Sequence, residues 1–250
     1  MPKNQSKLRK SIRIILAAIV FVASLPLYEN LNQFIWAGAG VTFLFIFVNL
    51  VLIRKTARTE TDYLPLILPT IYLVGFFGTV ASLSSLGMRL FLALGAVFLF
   101  YVYQIYFPTV PPLLVEETVS LAAGFMALLT VWSVNFFFTP AWWLLSSLTL
   151  IVFFPMFFQA FYKMGRAGLD CILLSLIASL IMVETAWAIL FMPVYFLTAA
   201  VVNFSAFYLI YVLSGMYFAG RLTAKKVYFQ TGLILLFLLI SFISSPWKPL

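Results

Sequence analysis

Residues 171–191 read CILLSLIASLIMVETAWAILF, with Glu184 as the one acidic or basic side chain among them. An unbroken apolar run of this length matches the roughly 20 residues that an α-helix needs to cross a bilayer core. Strands of a membrane barrel are about 10 residues long and alternate apolar with polar. Nothing alternates here. Hydrocarbon offers no water to the backbone, so a helix, which pairs its own N–H and C=O groups, is the structure such a run predicts. On a wheel of about 100° per residue, Cys171, Ser175, Ala178, Ser179, Met182 and Ala186 share one face. Small side chains let helix backbones approach closely, so this face is expected to pack. Glu184 falls on the opposite side, with Leu173, Ile177, Leu180 and Trp187.

The same pattern extends in both directions. Apolar segments lie at about 12–28, 34–53, 64–86, 90–107, 118–138, 141–162, 171–191, 194–218 and 228–246. The expected architecture is all-α: a polytopic transmembrane helix bundle of about nine spans, forming a single integral membrane domain over 1–250. Phe138-Thr139-Pro140-Ala141 and Met192-Pro193 leave room only for tight corners, with proline as the stop signal. Composition agrees. Hydrophobic residues make up 64% of the chain and charged residues 9%, against about 25% charged in an ordinary soluble domain. The segment MPKNQSKLRKSIR, followed by an apolar run and by VAS at 22–24, resembles a signal peptide. Because the rest of the chain is equally apolar, an uncleaved first span is expected.

The cations orient the bundle. With the N-terminus inside, the inner side holds Lys3, Lys7, Arg9, Lys10, Arg13, Arg54, Lys55, Arg58, Lys163, Arg166, Arg221, Lys225 and Lys226, and the outer side only Arg89 and Lys248. Such an excess is what the positive-inside rule expects of an N-in, C-out chain. The net charge of +8 is therefore read as topology, with no nucleic-acid partner, and the basic inner loops as contacts for anionic lipid. In this orientation Trp36, Trp132, Trp142, Trp143, Trp187 and Trp247 fall near outer ends, and Tyr63, Tyr101, Tyr103, Tyr106, Tyr162, Tyr217 and Tyr228 near inner ends. Both residues favour the membrane interface.

Residues 108–118, PTVPPLLVEET, hold three prolines and the carboxylates Glu116 and Glu117 but no cation. The segment is expected to be a plain cytoplasmic loop, with a re-entrant piece as the alternative. Asp170 and Glu117 are placed where a negative charge favours a helix N-terminus. Glu184 is the ionisable group that remains, below the outer interface by about two turns. Ionisable groups at such depth are costly and usually functional. It is expected either to hydrogen-bond a Ser, Thr, Trp N–H or backbone carbonyl, to line an outward-facing cavity with Trp187, or to meet a partner subunit. Asn49, Gln104, Asn135, Gln159 and Asn203 are expected to hydrogen-bond between helices. Pro65, Pro69 and Pro155 are expected to kink helices or re-aim their ends, and Gly75, Gly78, Gly87 and Gly95 to mark close packing.

ETDYLPLILP (60–69) echoes ETAWAILFMP (184–193). An inverted transporter repeat would produce such an echo, although the match does not extend beyond a few positions. The chain has one cysteine and no histidine, so an intramolecular disulfide and the commonest metal ligand are absent. It carries no P-loop, dinucleotide fingerprint, GxSxG elbow or HExxH, and no cofactor is expected. The first expectation is a non-enzymatic membrane subunit or scaffold that packs against other membrane proteins, in a bacterial inner membrane. The alternative is a transporter of a small solute or lipid-like substrate, with Glu184 in an outward-facing cavity. A lipid-modifying enzyme acting through Glu116 and Glu117 ranks third.

Overall fold

A computed structural model describes residues 31–54, 66–83, 86–106 and 113–245, with Ile15 and Ile19. Eight helices run through them: α1 (Leu31–Arg54), α2 (Ile67–Ser82), α3 (Leu86–Tyr106), α4 (Leu113–Phe138), α5 (Trp142–Lys163), α6 (Gly168–Leu190), α7 (Phe196–Phe218) and α8 (Ala224–Ser244). Every boundary lies within five residues of an expected span. Five stretches are long and apolar enough to cross a membrane: Glu117–Phe138 of α4, and all of α5, α6, α7 and α8. This is the pattern of an integral membrane protein in contact with a lipid bilayer. Helices α1, α2 and α3 carry shorter apolar stretches, Trp36–Val51, Ile67–Ser82 and Arg89–Val102. Most of the expected first span, residues 60–65 of the sequence echo with Glu60, Asp62 and Pro65, and Trp247 and Lys248 lie outside the described residues.

One boundary corrects the sequence reading. Helix α4 begins at Leu113, so LLVEET is helical and not the second half of a loop, while 107–112 lies outside the described residues. In sequence, Pro111 and Pro112 come immediately before Leu113, the first described residue of α4. Proline is favoured at a helix start, because its missing N–H has no intrahelical partner to lose there. The two prolines thus precede a start where they were taken to mark a stop. Glu116 and Glu117 sit one turn inside the helix, so Glu117 is not its cap.

The chain divides into two compact units, 1–127 and 128–250, the boundary falling within α4. In the first unit, α1, α2 and α3 bring together the fully buried rings Phe45, Tyr72 and Phe100, and α2 buries Phe76 as well. Phe100 meets Phe45 edge-on at 5.6 Å and stacks on Tyr72 at 6.2 Å. The Tyr72 hydroxyl donates to the Ala96 carbonyl oxygen at 2.7 Å. Helix α2 also lies against the middle of α4. The Thr79 hydroxyl donates to the Met126 carbonyl at 3.0 Å, and a Cβ at Gly75 would stand 2.8 Å from the Ala127 backbone nitrogen. Lipid is as apolar as leucine, so helices gain little by burying leucine alone; close backbone approach and hydroxyl hydrogen bonds hold such contacts.

In the second unit α5 and α6 form an antiparallel pair, with the Cys171 thiol 3.5 Å from the Phe158 carbonyl. The rings of Phe153 and Phe157 on α5 meet Phe207 of α7 at 5.2 and 5.5 Å, and all three are fully buried. Helix α8 leans on α7 through Thr198–Ser245 at 2.8 Å and Tyr208–Gln230 at 2.7 Å. Of the α8 residues only Ile234 is buried. Helices α5 and α7 end alike. Gly165 and Gly220 adopt φ of +85° and +64°, and the following arginine N–H bonds back to Phe161 or Met216. This closure needs a left-handed residue, which glycine supplies at no steric cost. The Arg166 guanidinium then lies 4.5 Å from the centre of the Phe218 ring.

Candidate functional site

Helix α6 decides where the polar groups of the second unit point. Its buried residues are Cys171, Ser175, Ala178, Ser179, Met182, Ala186 and Ile189, so the face expected to pack does pack. Ser175 and Ser179 donate to the carbonyls of Cys171 and Ser175, both at 2.6 Å. Each hydroxyl is satisfied within its own helix, leaving a smooth, small surface. The opposite face, Leu173, Ile177, Leu180 and Trp187, is exposed.

Glu184 is exposed on that outward face. Among the described residues it has no hydrogen-bond or ion-pair partner, so the expected bond to a Ser, Thr or Trp is not formed; Thr185 beside it donates instead to Ile181 at 2.8 Å. Trp187 is exposed and meets Phe191 edge-on at 5.4 Å. Glu117 is exposed in α4, and the side chain of Glu116 lies outside the described set. Asp170 is in the first turn of α6, but the cap position is Ala167 and no side chain caps the helix. Asp170 therefore acts on the helix dipole and not as a capping acceptor.

A cavity of about 60 Å³ lies where the ends of α4 and α6 meet the start of α7. Trp132, Asn135 and Phe136 of α4 form one wall, facing Ile189 of α6 and Phe196 of α7. Glu184 and Trp187 are not among its lining residues. Helix α6 turns into α7 through a five-residue corner, Phe191 to Tyr195, which contributes Met192 and Val194. The rings of Phe136, Tyr195 and Phe196 pack mutually at 4.4 to 5.4 Å beside it. Sequence reasoning placed Trp132 in an interfacial belt. The structure leaves Trp36, Trp142, Trp143 and Trp187 exposed in that manner but buries Trp132 to 3%. Its Nε1 has no hydrogen-bond partner among the described residues. No sequence signal distinguishes Trp132 from the other tryptophans, because its burial depends on which helices surround it.

The amides also depart from expectation. Asn49 donates to Phe45 of its own helix at 2.9 Å. Gln159 and Asn203 are buried with both amide atoms unpartnered among the described residues. Hydroxyls of Tyr72, Thr79, Thr198 and Tyr208 make inter-helix bonds instead. A hydroxyl rotates to suit one acceptor, whereas an amide needs two donors and two acceptors placed together. Among the described residues no group of three or more Cys, Asp or Glu is placed to hold a metal ion.

Comparison with protein-family models, with curated proteins and with solved structures yields no match.

Proposed function

We propose that the chain is a non-enzymatic subunit of a membrane assembly that contacts its partner through the outward face of α6. The exposed, unpartnered Glu184 on an otherwise apolar face carries this reading. Helix α6 has 23 residues, about 34 Å at 1.5 Å per residue, and Glu184 lies about 9 Å from its end. With a hydrocarbon core about 30 Å thick, the carboxylate stands inside the apolar layer. Charges at such depth normally face a bundle interior or pair with another group. This interior is filled by Ser175, Ala178, Ser179 and Met182, so the matching donor is assigned to a transmembrane helix of another protein. The proposal includes nine spans, an N-in and C-out orientation set by the basic loops, anionic lipid at those loops, and residence in a bacterial inner membrane.

A photo-crosslinking residue at Ile177, which flanks Glu184 on the exposed face, tests the contact in cells. A discrete protein adduct that weakens with Glu184→Leu is expected, with only lipid adducts from the same probe at Ile243 of α8. Lipid adducts alone at both positions would overturn the reading.

The alternative, a transporter of a small or lipid-like substrate, places Glu184 in an outward-facing cavity, and the cavity at the α6–α7 corner is not lined by Glu184. That reading requires water to reach Glu184 from outside. In a Cys171→Ser, Glu184→Cys chain, a membrane-impermeant thiol reagent separates the two. Protection supports the subunit reading and labelling supports transport.

A further inference from the structure

Helices α5 and α7 end side by side. The rings of Phe161 and Phe218 meet edge-on at 5.9 Å, and a Cβ at Gly215 would stand 3.4 Å from Met164 Cε. Both helices close on a left-handed glycine, Gly165 or Gly220, and both place an arginine directly after it. Arg166 lies over the Phe218 ring at 4.5 Å. Arg221 follows Phe218 by three residues, and its carbonyl oxygen accepts from Lys226 Nζ at 2.9 Å. The α5–α6 and α7–α8 connections are thereby held together as one cationic surface. Lys163, Arg166, Arg221, Lys225 and Lys226 are all exposed, and Asp170 is the single carboxylate within 163–170 and 217–230.

Like charges gathered in this way repel, and the start of α8 adds to the cost. A helix N-terminus carries positive dipole charge and disfavours cations. Yet α8 opens on Lys225 and Lys226, with no acidic residue in its first turn and no side-chain cap from Thr223. Helix α6, which opens from the other connection, has Asp170 in its first turn. Arg166, Arg221, Lys225 and Lys226 form no ion pair among the described residues. An anion shared by the two connections removes the repulsion, and five cations against one carboxylate exceed the charge of one phosphodiester. The flanking surface is apolar: Tyr217, Leu222, Tyr228 and Phe229 are exposed, and α8 continues from them with Leu236 and Ile240 exposed. A free phosphate would make no use of that surface, whereas acyl chains would. Basic surfaces between membrane helices hold lipid headgroups, and guanidinium groups match phosphate oxygens. We infer that the paired α5–α6 and α7–α8 connections bind a membrane lipid whose headgroup carries two phosphates, with Arg166 and Arg221 on the phosphate oxygens and the acyl chains along α8. The inference rests on the reading of the basic loops as anionic-lipid contacts and adds the headgroup; it does not involve Glu184.

The test varies the headgroup. The full chain is purified in detergent, delipidated and titrated with cardiolipin, phosphatidylglycerol or phosphatidylcholine of equal chain length, at equal total phosphate. Bound lipid is counted by native mass spectrometry. Cardiolipin is expected to be retained most tightly. One cation beside an anionic lipid corresponds to about fivefold in retention, so Arg166→Gln and Lys225→Gln should each weaken cardiolipin binding by about that factor. Arg58→Gln, which removes the same charge from a different basic loop, should leave it unchanged. Equal retention of cardiolipin and phosphatidylglycerol would overturn the two-phosphate site and leave the anionic-lipid reading standing, whereas equal retention of all three lipids would overturn both. Cardiolipin binding that survives Arg166→Gln and Lys225→Gln, or falls as much with Arg58→Gln, would overturn the placement at these two connections. Should Arg166→Gln fail to fold for want of its contact with Phe218, Lys225→Gln and the comparison of lipids still decide.

Discussion

Gly75 and Gly95 both lie inside apolar helices, and the sequence treats them alike. Their surroundings differ. A Cβ at Gly75 would press on the Ala127 backbone at 2.8 Å, whereas one at Gly95 would meet nothing within 4 Å. Backbone cannot move aside as a flexible side chain can, so Gly75→Ala must separate α2 from α4. It is expected to lower stability by about 1–3 kcal/mol, the usual cost of overpacking. Gly95→Ala is expected to be neutral, or stabilising by up to about 1 kcal/mol through helix propensity. Unfolding of the two variants in detergent, followed by circular dichroism, checks the contrast. Thr139 presents the reverse case. It holds φ of 42° at the corner between α4 and α5, a region that costs a residue with a Cβ about 1–2 kcal/mol. Its N–H closes the helix on Asn135 at 3.0 Å, a bond that glycine also makes. Thr139→Gly should therefore raise the unfolding midpoint, and an unchanged or lowered midpoint would show that the Thr139 side chain contributes something its exposed position does not reveal.

At the scale of the element, α6 was the most legible part of the chain. Its small and polar residues recur at helical spacing, and that periodicity assigns them to one face before any neighbour is known. The packed face is Cys171, Ser175, Ala178, Ser179, Met182 and Ala186, as the wheel predicts. Ser179 is fully buried there. Ser179→Leu should force α5 and α6 apart and destabilise by about 1–3 kcal/mol, whereas Leu180→Ser on the exposed face should leave the unfolding midpoint nearly unchanged. The buried amides were less legible. A polar residue within a span is expected to find a partner, yet Gln159 and Asn203 are buried without one among the described residues. Replacing an unsatisfied buried amide by an apolar group of similar shape removes its desolvation penalty. Gln159→Met and Asn203→Leu are therefore expected to stabilise the chain by about 1 kcal/mol each. Loss of stability instead would reveal a polar occupant beside them.

At the scale of the whole molecule, the distribution of cations makes a prediction that single helices cannot. If the basic loops are inner, an alkaline phosphatase fused after Pro140 or Pro193 should be active in intact cells, and one fused after Arg166 or Arg221 inactive. An inverted pattern would reverse the orientation, and a mixed pattern would change the number of spans. The aromatic rings show why this scale matters for the site as well. Trp36 is 78% exposed and Trp132 is 3% exposed, although both lie near span ends of the same expected sign.

The sequence alone determined that the described chain is helical, where its eight described helices run to within a few residues, and which face of α6 packs. These follow from backbone satisfaction in lipid and from side-chain periodicity, both local properties of a segment. Tertiary structure decided which of several equivalent residues is buried, which glycine touches a backbone, that Pro111 and Pro112 precede a helix, and that Glu184 stands apart from the cavity. Those outcomes depend on neighbours distant in the chain. In a sequence that is 64% hydrophobic, the surfaces facing protein and lipid are built from the same residues, so composition cannot distinguish them. Only the placement of one helix against another does.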